Sequence, residues 1–318
     1  MTKSNIFVLE ADRPTALSTI RALYSTGSHH SNRHMDVTAL VTERASKEAL
    51  AALRGLSCKI VTITDPRNVS FEGCTKLYIV ASPERLDFLI PYIEAAKKAS
   101  VQFVLLQSVI IADGRGEQGK KHLYAENKLT ELFGKKACLP LEENAKARSP
   151  KEHKKLHHHA WWCILRVGVY SHYLFAFKDG IKRGVLELPI GDGKFAPVSI
   201  EDIGCVSANI LDKSENYYSH VYTVTGSELF SGKLLASRLS AILKHEVKYV
   251  PSEMAYVEEK CLKKYIPNDV IRTNVITLFE LIKKGRLEYV SPHFTEIDGI
   301  TPRTLEQFIL DYKKEFSA

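Results

Sequence analysis

Short apolar runs alternate with amphipathic segments over the first half of this 318-residue chain, and this order restricts the fold more than any other feature. Each apolar run has the length of a strand and is nearly continuous, which is typical of strands buried on both faces of a sheet. The predicted strands are Ile6–Leu9, Val37–Val41, Ile60–Ile63, Leu77–Val80, Val101–Leu106 and Trp162–Val167. The predicted helices among them are Pro14–Tyr24, Ser46–Leu53, Glu84–Ala99 and Leu123–Phe133. The pattern predicts an α/β fold, a doubly wound parallel sheet covered by helices on both faces.

The second half of the chain has a different pattern, in which helical spacing dominates and strands are short. The predicted helices are Glu201–Leu211, Gly232–Leu243, Met254–Lys264, Val270–Lys284 and Thr304–Phe316, with strands at Tyr222–Thr225 and Val247–Val250. We therefore predict two domains. Residues 1–226 form the doubly wound core, and residues 227–318 form a smaller, mostly helical C-terminal lobe that binds a substrate or a partner.

One segment, residues 135–159, lacks apolar periodicity and is strongly basic. It contains seven Lys and Arg against three Glu, so it supplies +4 of the net charge of +7 that the whole chain carries. We expect an exposed loop inserted in the core. Such a loop could dock an acidic partner or nucleic acid, but it holds no aromatic residue for base stacking, so direct nucleic-acid binding is not favoured.

Metal binding and membrane insertion have little support in the sequence. The adjacent histidines His157–His159 lack the i, i+4 spacing of a rigid helical metal site, and His29, His30 and His34 lie at a predicted loop, so no metal is expected. No apolar run approaches the roughly 20 residues of a membrane-spanning helix, and the N-terminus has no signal-peptide pattern. The six cysteines are scattered, which favours free thiols in a reducing compartment. We expect a cytoplasmic protein, with a nuclear location left open.

Several motifs in a fixed order resemble one family. Besides the strand and helix at the start, they are Val104–Ser108, Leu165–Tyr170, Val198–Gly204, Tyr222–Gly226 and Gly299–Phe308. Together they resemble the NmrA-like group of atypical short-chain dehydrogenases/reductases. The resemblance implies a Rossmann-like core of the NAD(P)-binding type. It also implies one of two roles, because some members are reductases and others are redox-sensing regulators that bind protein partners such as transcription factors.

The phosphate-binding turn after the first strand departs from the family pattern G-x-x-G-x-x-G. Its three glycine positions are Glu10, Arg13 and Ala16 in this chain. Glycines there make a tight turn, let the backbone approach the pyrophosphate, and allow close packing of helix on strand. Ala16 can preserve that packing, but the carboxylate of Glu10 would repel a pyrophosphate. The substitutions predict impaired or absent dinucleotide binding.

The same turn contains charged residues that suggest two alternatives. Asp12 is a suitable N-cap and Pro14 suits the first helical turn, so Glu10 and Asp12 could supply the anion that a helix N-terminus attracts. Alternatively, Arg13 contacts the phosphate and NADP still binds. Arg44, which follows the second strand, is placed to favour the 2′-phosphate of NADP, although an exposed arginine there is also ordinary.

A catalytic trio can be proposed from Ser108, Tyr124 and Lys128. Tyr124 and Lys128 form a YxxxK sequence on a predicted helix, and Ser108 ends the fifth predicted strand. The wider superfamily implies that the tyrosine transfers a proton, the lysine lowers its pKa, and the serine orients the substrate carbonyl. The structural alternative is that Tyr124 packs against the sheet and Lys128 is a solvated helix residue.

From these observations we favour a regulatory or ligand-sensing protein with weak or no catalysis. It would bind a small ligand in a cleft between the lobes, or a protein partner such as a transcription regulator. The alternative is an NADPH-dependent reductase of a carbonyl or quinone-type substrate that uses Ser108, Tyr124 and Lys128.

Overall fold

The structure is a computed structural model that describes residues 4–30, 35–56, 58–112, 116–134, 161–298 and 302–317. The predicted basic loop at 135–159 lies outside these residues. Both histidine groups, His157–His159 and His29, His30 and His34, fall outside the described side chains.

Eleven strands are described, and seven of them form one sheet. In chain order they are β1 Ser4–Leu9, β2 Met35–Thr42, β3 Lys59–Ile63, β4 Lys76–Val80, β5 Phe103–Val109, β6 Trp161–Val167, β7 Val185–Leu188, β8 Lys194–Phe195, β9 His220–Val224, β10 Phe230–Ser231 and β11 Lys248–Pro251. The large sheet has the order β3-β2-β1-β4-β5-β6-β9, and the registers from β3 to β6 are parallel. The predicted doubly wound parallel sheet is confirmed.

The α-helices of the described residues are α1 Pro14–His30, α2 Lys47–Arg54, α3 Leu86–Lys98, α4 Gly116–Phe133, α5 Lys178–Lys182, α6 Ile200–Asp212, α7 Gly232–Leu243, α8 Met254–Val257, α9 Lys263–Tyr265, α10 Asp269–Lys283, α11 His293–Asp298, α12 Leu305–Asp311 and α13 Lys313–Phe316. Each predicted helix has a counterpart among the described α-helices, two of them divided into shorter helices, and α5 and α11 were not predicted. Within the described part of the chain, no helix combines the length and apolarity needed to cross a bilayer.

The chain forms two compact units that are not consecutive in sequence. The first comprises residues 1–167, 201–223 and 296–298, and the second comprises 168–200, 224–295 and 299–318. The chain leaves the first unit after β6 and returns to it for α6 and β9. The division into domains of residues 1–226 and 227–318 stays a prediction.

Apolar strand residues form the core of the first unit. Leu77, Ile79, Leu106 and Ile164 are fully buried in one cluster with residues of α3 and α4. Burial of each such side chain stabilises the fold by about 1.5–3 kcal/mol. Gly204 in α6 lies against α1, because a Cβ at this position would be only 2.3 Å from the Ser18 hydroxyl oxygen.

The second unit is mostly helical and contains four small strands, of which β11 overlaps the predicted strand Val247–Val250, whereas β7, β8 and β10 were not predicted. β7 pairs with β11 in parallel, and β8 pairs with β10 in antiparallel orientation. Aromatic rings contribute much of its packing. Phe175 stacks on Phe316 and makes edge contact with Tyr312, at centroid distances of 5.4 and 5.1 Å.

Candidate functional site

The large sheet has a topological switch point between β1 and β4. These strands are adjacent, but the strands that follow them in sequence lie on opposite sides of the pair. In open α/β sheets, ligands bind in the crevice beyond the carboxyl ends of the strands at such a point. Two turns enter this position, residues 10–13 after β1 and residues 82–85 after β4.

The turn after β1 is tight, although Glu10 occupies the position at which the family pattern has a glycine. The backbone N–H of Arg13 donates to the Glu10 carbonyl at 2.9 Å, and Glu10 has a φ of 51°. A non-glycine residue in this left-handed region costs about 1–2 kcal/mol. Ala16, at the third glycine position, is fully buried in α1, which fits the predicted close packing.

The prediction that Asp12 caps α1 is wrong. The first helical hydrogen bond runs from the Leu17 N–H to the Arg13 carbonyl, so Arg13 is the residue at the N-cap position. The Asp12 carboxylate instead accepts a hydrogen bond of 3.3 Å from the backbone N–H of Thr42, at the end of β2. The Asp12 side chain therefore contacts the end of β2, whereas the local sequence predicted that it contacts the first turn of α1.

The carboxylate of Glu10 is buried among donors from both turns. Its side chain is 1% exposed, and it accepts a hydrogen bond of 3.1 Å from the Ser82 hydroxyl. It also pairs with the Nε atoms of Arg13 at 3.3 Å and Arg85 at 3.4 Å, and Arg13 forms a second ion pair with Glu84. Burial raises the pKa of the Glu10 carboxyl, and the two arginines and Ser82 oppose that rise.

We call these five residues, Glu10, Arg13, Ser82, Glu84 and Arg85, the switch-point cluster. Its two guanidinium groups and two carboxylates balance in charge. The guanidinium groups and the Ser82 hydroxyl are donors that suit a phosphate group. The first turn of α1 contains no acidic residue that would repel an anion. The donor set therefore fits an anionic ligand, and in this structure the donors are engaged by the carboxylates of the chain itself.

Arg44, the predicted partner of a 2′-phosphate, lies two residues after β2. Its side chain is exposed, and no ion pair involves it within the described residues. This places a solvated cation beyond the carboxyl end of a strand next to β1.

The described contacts do not bring the predicted trio together. The Ser108 side chain is buried in β5, and its hydroxyl has no hydrogen-bond partner in the part of the chain that the structure describes. Tyr124 is 62% exposed on α4. Lys128 pairs with Glu131 at 3.4 Å and with Glu94 of α3 at 4.0 Å. The trio stays a prediction.

The opposite face of α4 carries buried polar residues that sequence reasoning missed. Glu126 and Arg166 of β6 are fully buried and form a bidentate pair, with Nε–Oε1 and Nη2–Oε2 distances of 3.1 and 2.5 Å. His122 is also buried, and both of its ring nitrogens lack a hydrogen-bond partner among the described residues. Burial lowers the pKa of His122 to about 4. The spacing of His122 and Glu126 on the apolar face was the available signal.

Metal binding finds no support in the described ranges, which hold no group of three or more His, Cys, Asp or Glu side chains able to bind a metal ion.

The sheet order and the turns at its switch point define the class: this is a Rossmann-like α/β protein with a mostly helical C-terminal region.

Comparisons with known proteins agree with this class, although no protein-family model matches the chain. The chain is 22% identical over 285 residues to an NAD(P)H azoreductase of Xenophilus azovorans, covering 88% of this chain and 90% of that protein. The structure is similar to a triphenylmethane reductase of Citrobacter sp. complexed with NADP(H), with 15% identity, coverage of 96% and 99%, and a TM-score of 0.74.

A second similar structure is an NADPH-dependent quinone oxidoreductase of Escherichia coli complexed with NADPH, with 20% identity, coverage of 97% and 99%, and a TM-score of 0.76. At these identities the structural likeness shows the fold. The finer assignment to the NmrA-like group stays a prediction.

Proposed function

We propose that this protein is an NADP(H)-dependent oxidoreductase that reduces a carbonyl or quinone-type substrate. The observation that carries the proposal is the Rossmann-like fold, which is similar to the structures of NADP(H)-bound reductases over nearly the full length of this chain. The protein with a similar sequence is also a reductase, an NAD(P)H azoreductase. These comparisons favour the reductase interpretation over the regulatory one, for which the relatives provide no support, and they favour NADP binding over its loss.

Residues at the carboxyl ends of β1, β2 and β4 would hold the dinucleotide. Arg13, Arg85 and Ser82 are placed to bind the pyrophosphate once Glu10 no longer engages them, and Arg44 is placed to bind the 2′-phosphate. When bound, NADPH supplies the hydride for a two-electron reduction. The chain itself must orient the substrate, exclude water and provide a proton.

Ser108 is the residue of the predicted trio whose structure best suits contact with substrate. Its hydroxyl lies at the end of β5, which is the next strand after β4 in the sheet, and it has no described partner. A buried hydroxyl without a partner can donate to a substrate oxygen at little cost, because no internal hydrogen bond has to be broken. We therefore assign Ser108 the role of orienting the carbonyl or quinone oxygen.

The test is an assay of NADPH oxidation with the purified protein. A simple quinone, an aldehyde and an azo dye are supplied in turn, and loss of NADPH absorbance is followed. We expect substrate-dependent oxidation with at least one of them, and a fall of about 10-fold or more in kcat/KM for Ser108→Ala. Ser70→Ala, an exposed serine in the loop before β4, is the matched control. Absence of substrate-dependent oxidation across the panel would contradict the proposal.

A further inference from the structure

The switch-point cluster occupies the position at which the proposed cofactor would place its phosphates. β1 and β4 flank the crevice, and Glu10 forms the contact between the turns that follow them, through Ser82 and Arg85. The cluster therefore spans the crevice itself and does not lie at one side of it. A dinucleotide bound there would meet the Glu10 carboxylate as a negative charge at the same donors.

The charges in this cluster oppose the binding of an anion as long as Glu10 stays in place. Arg13 and Arg85 carry two positive charges, which Glu10 and Glu84 neutralise. A polyanion gains little from a neutral cluster, because attraction to the arginines is offset by repulsion from the carboxylates. The guanidinium groups keep contact with solvent, at 30% exposure for Arg13 and 18% for Arg85, so they can change partners without unfolding of the core.

We propose that Glu10 is an internal competitor of the cofactor, whose carboxylate must release Arg13 and Arg85 before these arginines bind the dinucleotide phosphates. The proposal rests on the function proposed above, and it identifies Glu10 as the residue that limits cofactor binding. Glu10 sets the affinity for NADPH below that of the same site without the carboxylate. Cofactor binding is then an exchange of one anion for another on the same two guanidinium groups.

Two substitutions separate the charge of Glu10 from its backbone conformation. Glu10→Gln keeps the size of the side chain and an oxygen acceptor for Ser82, but it removes the negative charge. Glu10→Gly removes the whole side chain at a position where φ is 51°, a conformation that glycine adopts without strain. Glu72→Gln is the matched control. Glu72 is exposed just before β4, at the amino edge of the sheet, whereas the cluster lies at the carboxyl edge.

The experiment is calorimetric titration of each purified variant with NADPH, with circular dichroism as the check of folding. We expect Glu10→Gln and Glu10→Gly to lower the Kd for NADPH at least tenfold, and Glu72→Gln to leave the Kd unchanged. Binding by the wild type with the same Kd as both Glu10 variants would overturn this inference and leave the proposed function standing. Absence of binding by the wild type and by both folded variants would overturn both.

A further variant keeps the inference testable if the Glu10 variants do not fold. Arg85→Gln retains Glu10 but removes one of the two cations that the phosphates would use. We expect weaker NADPH binding than in the wild type, and an unchanged Kd would overturn the inference.

Discussion

The carboxylate of Glu10 accepts a hydrogen bond of 3.1 Å from the Ser82 hydroxyl, which joins the turn after β1 to the turn after β4. These residues are 72 positions apart in the chain, yet they meet because parallel strands present their carboxyl ends at one edge of the sheet. The first turn of a Rossmann-like fold normally offers its backbone to a phosphate at this point. Here the backbone has a similar tight turn, and an internal carboxylate engages the donors.

The buried ion pair of Glu126 and Arg166 predicts a large loss of stability when one partner is removed. We expect Glu126→Gln to lower the free energy of unfolding by about 3 kcal/mol or more, because it removes the carboxylate charge that pairs with the buried Arg166 guanidinium group. Glu131→Gln is the matched control, since Glu131 lies on the same helix with a side chain 67% exposed and should cost less than about 1 kcal/mol. Urea unfolding of both variants measures the difference. Equal stabilities would refute a structural role for the buried pair.

His122 predicts a loss of stability as the pH falls. Its pKa is about 4 in the folded protein, compared with 6.5 for an ordinary histidine, so between these values the unfolded chain binds a proton that the folded chain does not. This residue's contribution to stability is therefore complete above pH 6.5 and falls toward pH 4, by about 3 kcal/mol in all.

The measurement for His122 is the free energy of unfolding of the wild type and of His122→Leu across this pH range. The leucine variant cannot take up the proton. Its free energy of unfolding should therefore fall by about 3 kcal/mol less than that of the wild type over this pH range. The substitution also removes two buried nitrogens that have no hydrogen-bond partner among the described residues, and we expect the variant to be no less stable than the wild type at neutral pH. The same pH dependence in both proteins would contradict this account of His122.

Tyr124→Phe tests the predicted trio. The Tyr124 side chain is 62% exposed on the face of α4 away from the buried His122 and Glu126, so we expect kcat of a reductase assay to change by less than about threefold. A general acid normally contributes about 10²-fold or more. A loss of that size would therefore support the predicted role of Tyr124 in proton transfer.

Arg44→Ala tests the preference between the two dinucleotides. If Arg44 binds the 2′-phosphate, its removal weakens NADPH binding by about 10-fold and leaves NADH binding unchanged. Arg54→Ala, which removes another exposed arginine at the end of α2, is the matched control. A parallel loss of affinity for NADPH and NADH would show that Arg44 does not distinguish the 2′-phosphate.

Local pattern was enough to predict most elements of the fold, because buried parallel strands and amphipathic helices have distinct periods. The helix Gly232–Leu243 was predicted with its observed bounds. The strands β8 and β10 were missed because they contain only two residues each and depend on pairing with each other. The segment Met254–Lys264 was predicted as one helix, and it contains a π-helical stretch at Glu258–Leu262 between two α-helical parts.

The candidate site was predicted only in part. The position of Glu10 in the phosphate turn follows from the family pattern, and the structure adds that Glu10 is buried. Its partners Ser82 and Arg85 were missed because their local sequence does not indicate a contact with the turn after β1, although both follow a predicted strand. The rule that ligand crevices lie at carboxyl strand ends could have directed attention to them. For Asp12 the local sequence predicted a contact that does not form, because its carboxylate accepts a hydrogen bond from β2 and does not cap α1.

The most direct test of the central claim is a crystal structure of Glu10→Gly grown with NADPH. We predict that the pyrophosphate lies between the Arg13 and Arg85 guanidinium groups, beyond the carboxyl ends of β1 and β4. A dinucleotide bound elsewhere, or a crevice in which both arginines remain paired with other groups of the protein at saturating NADPH, would contradict the account.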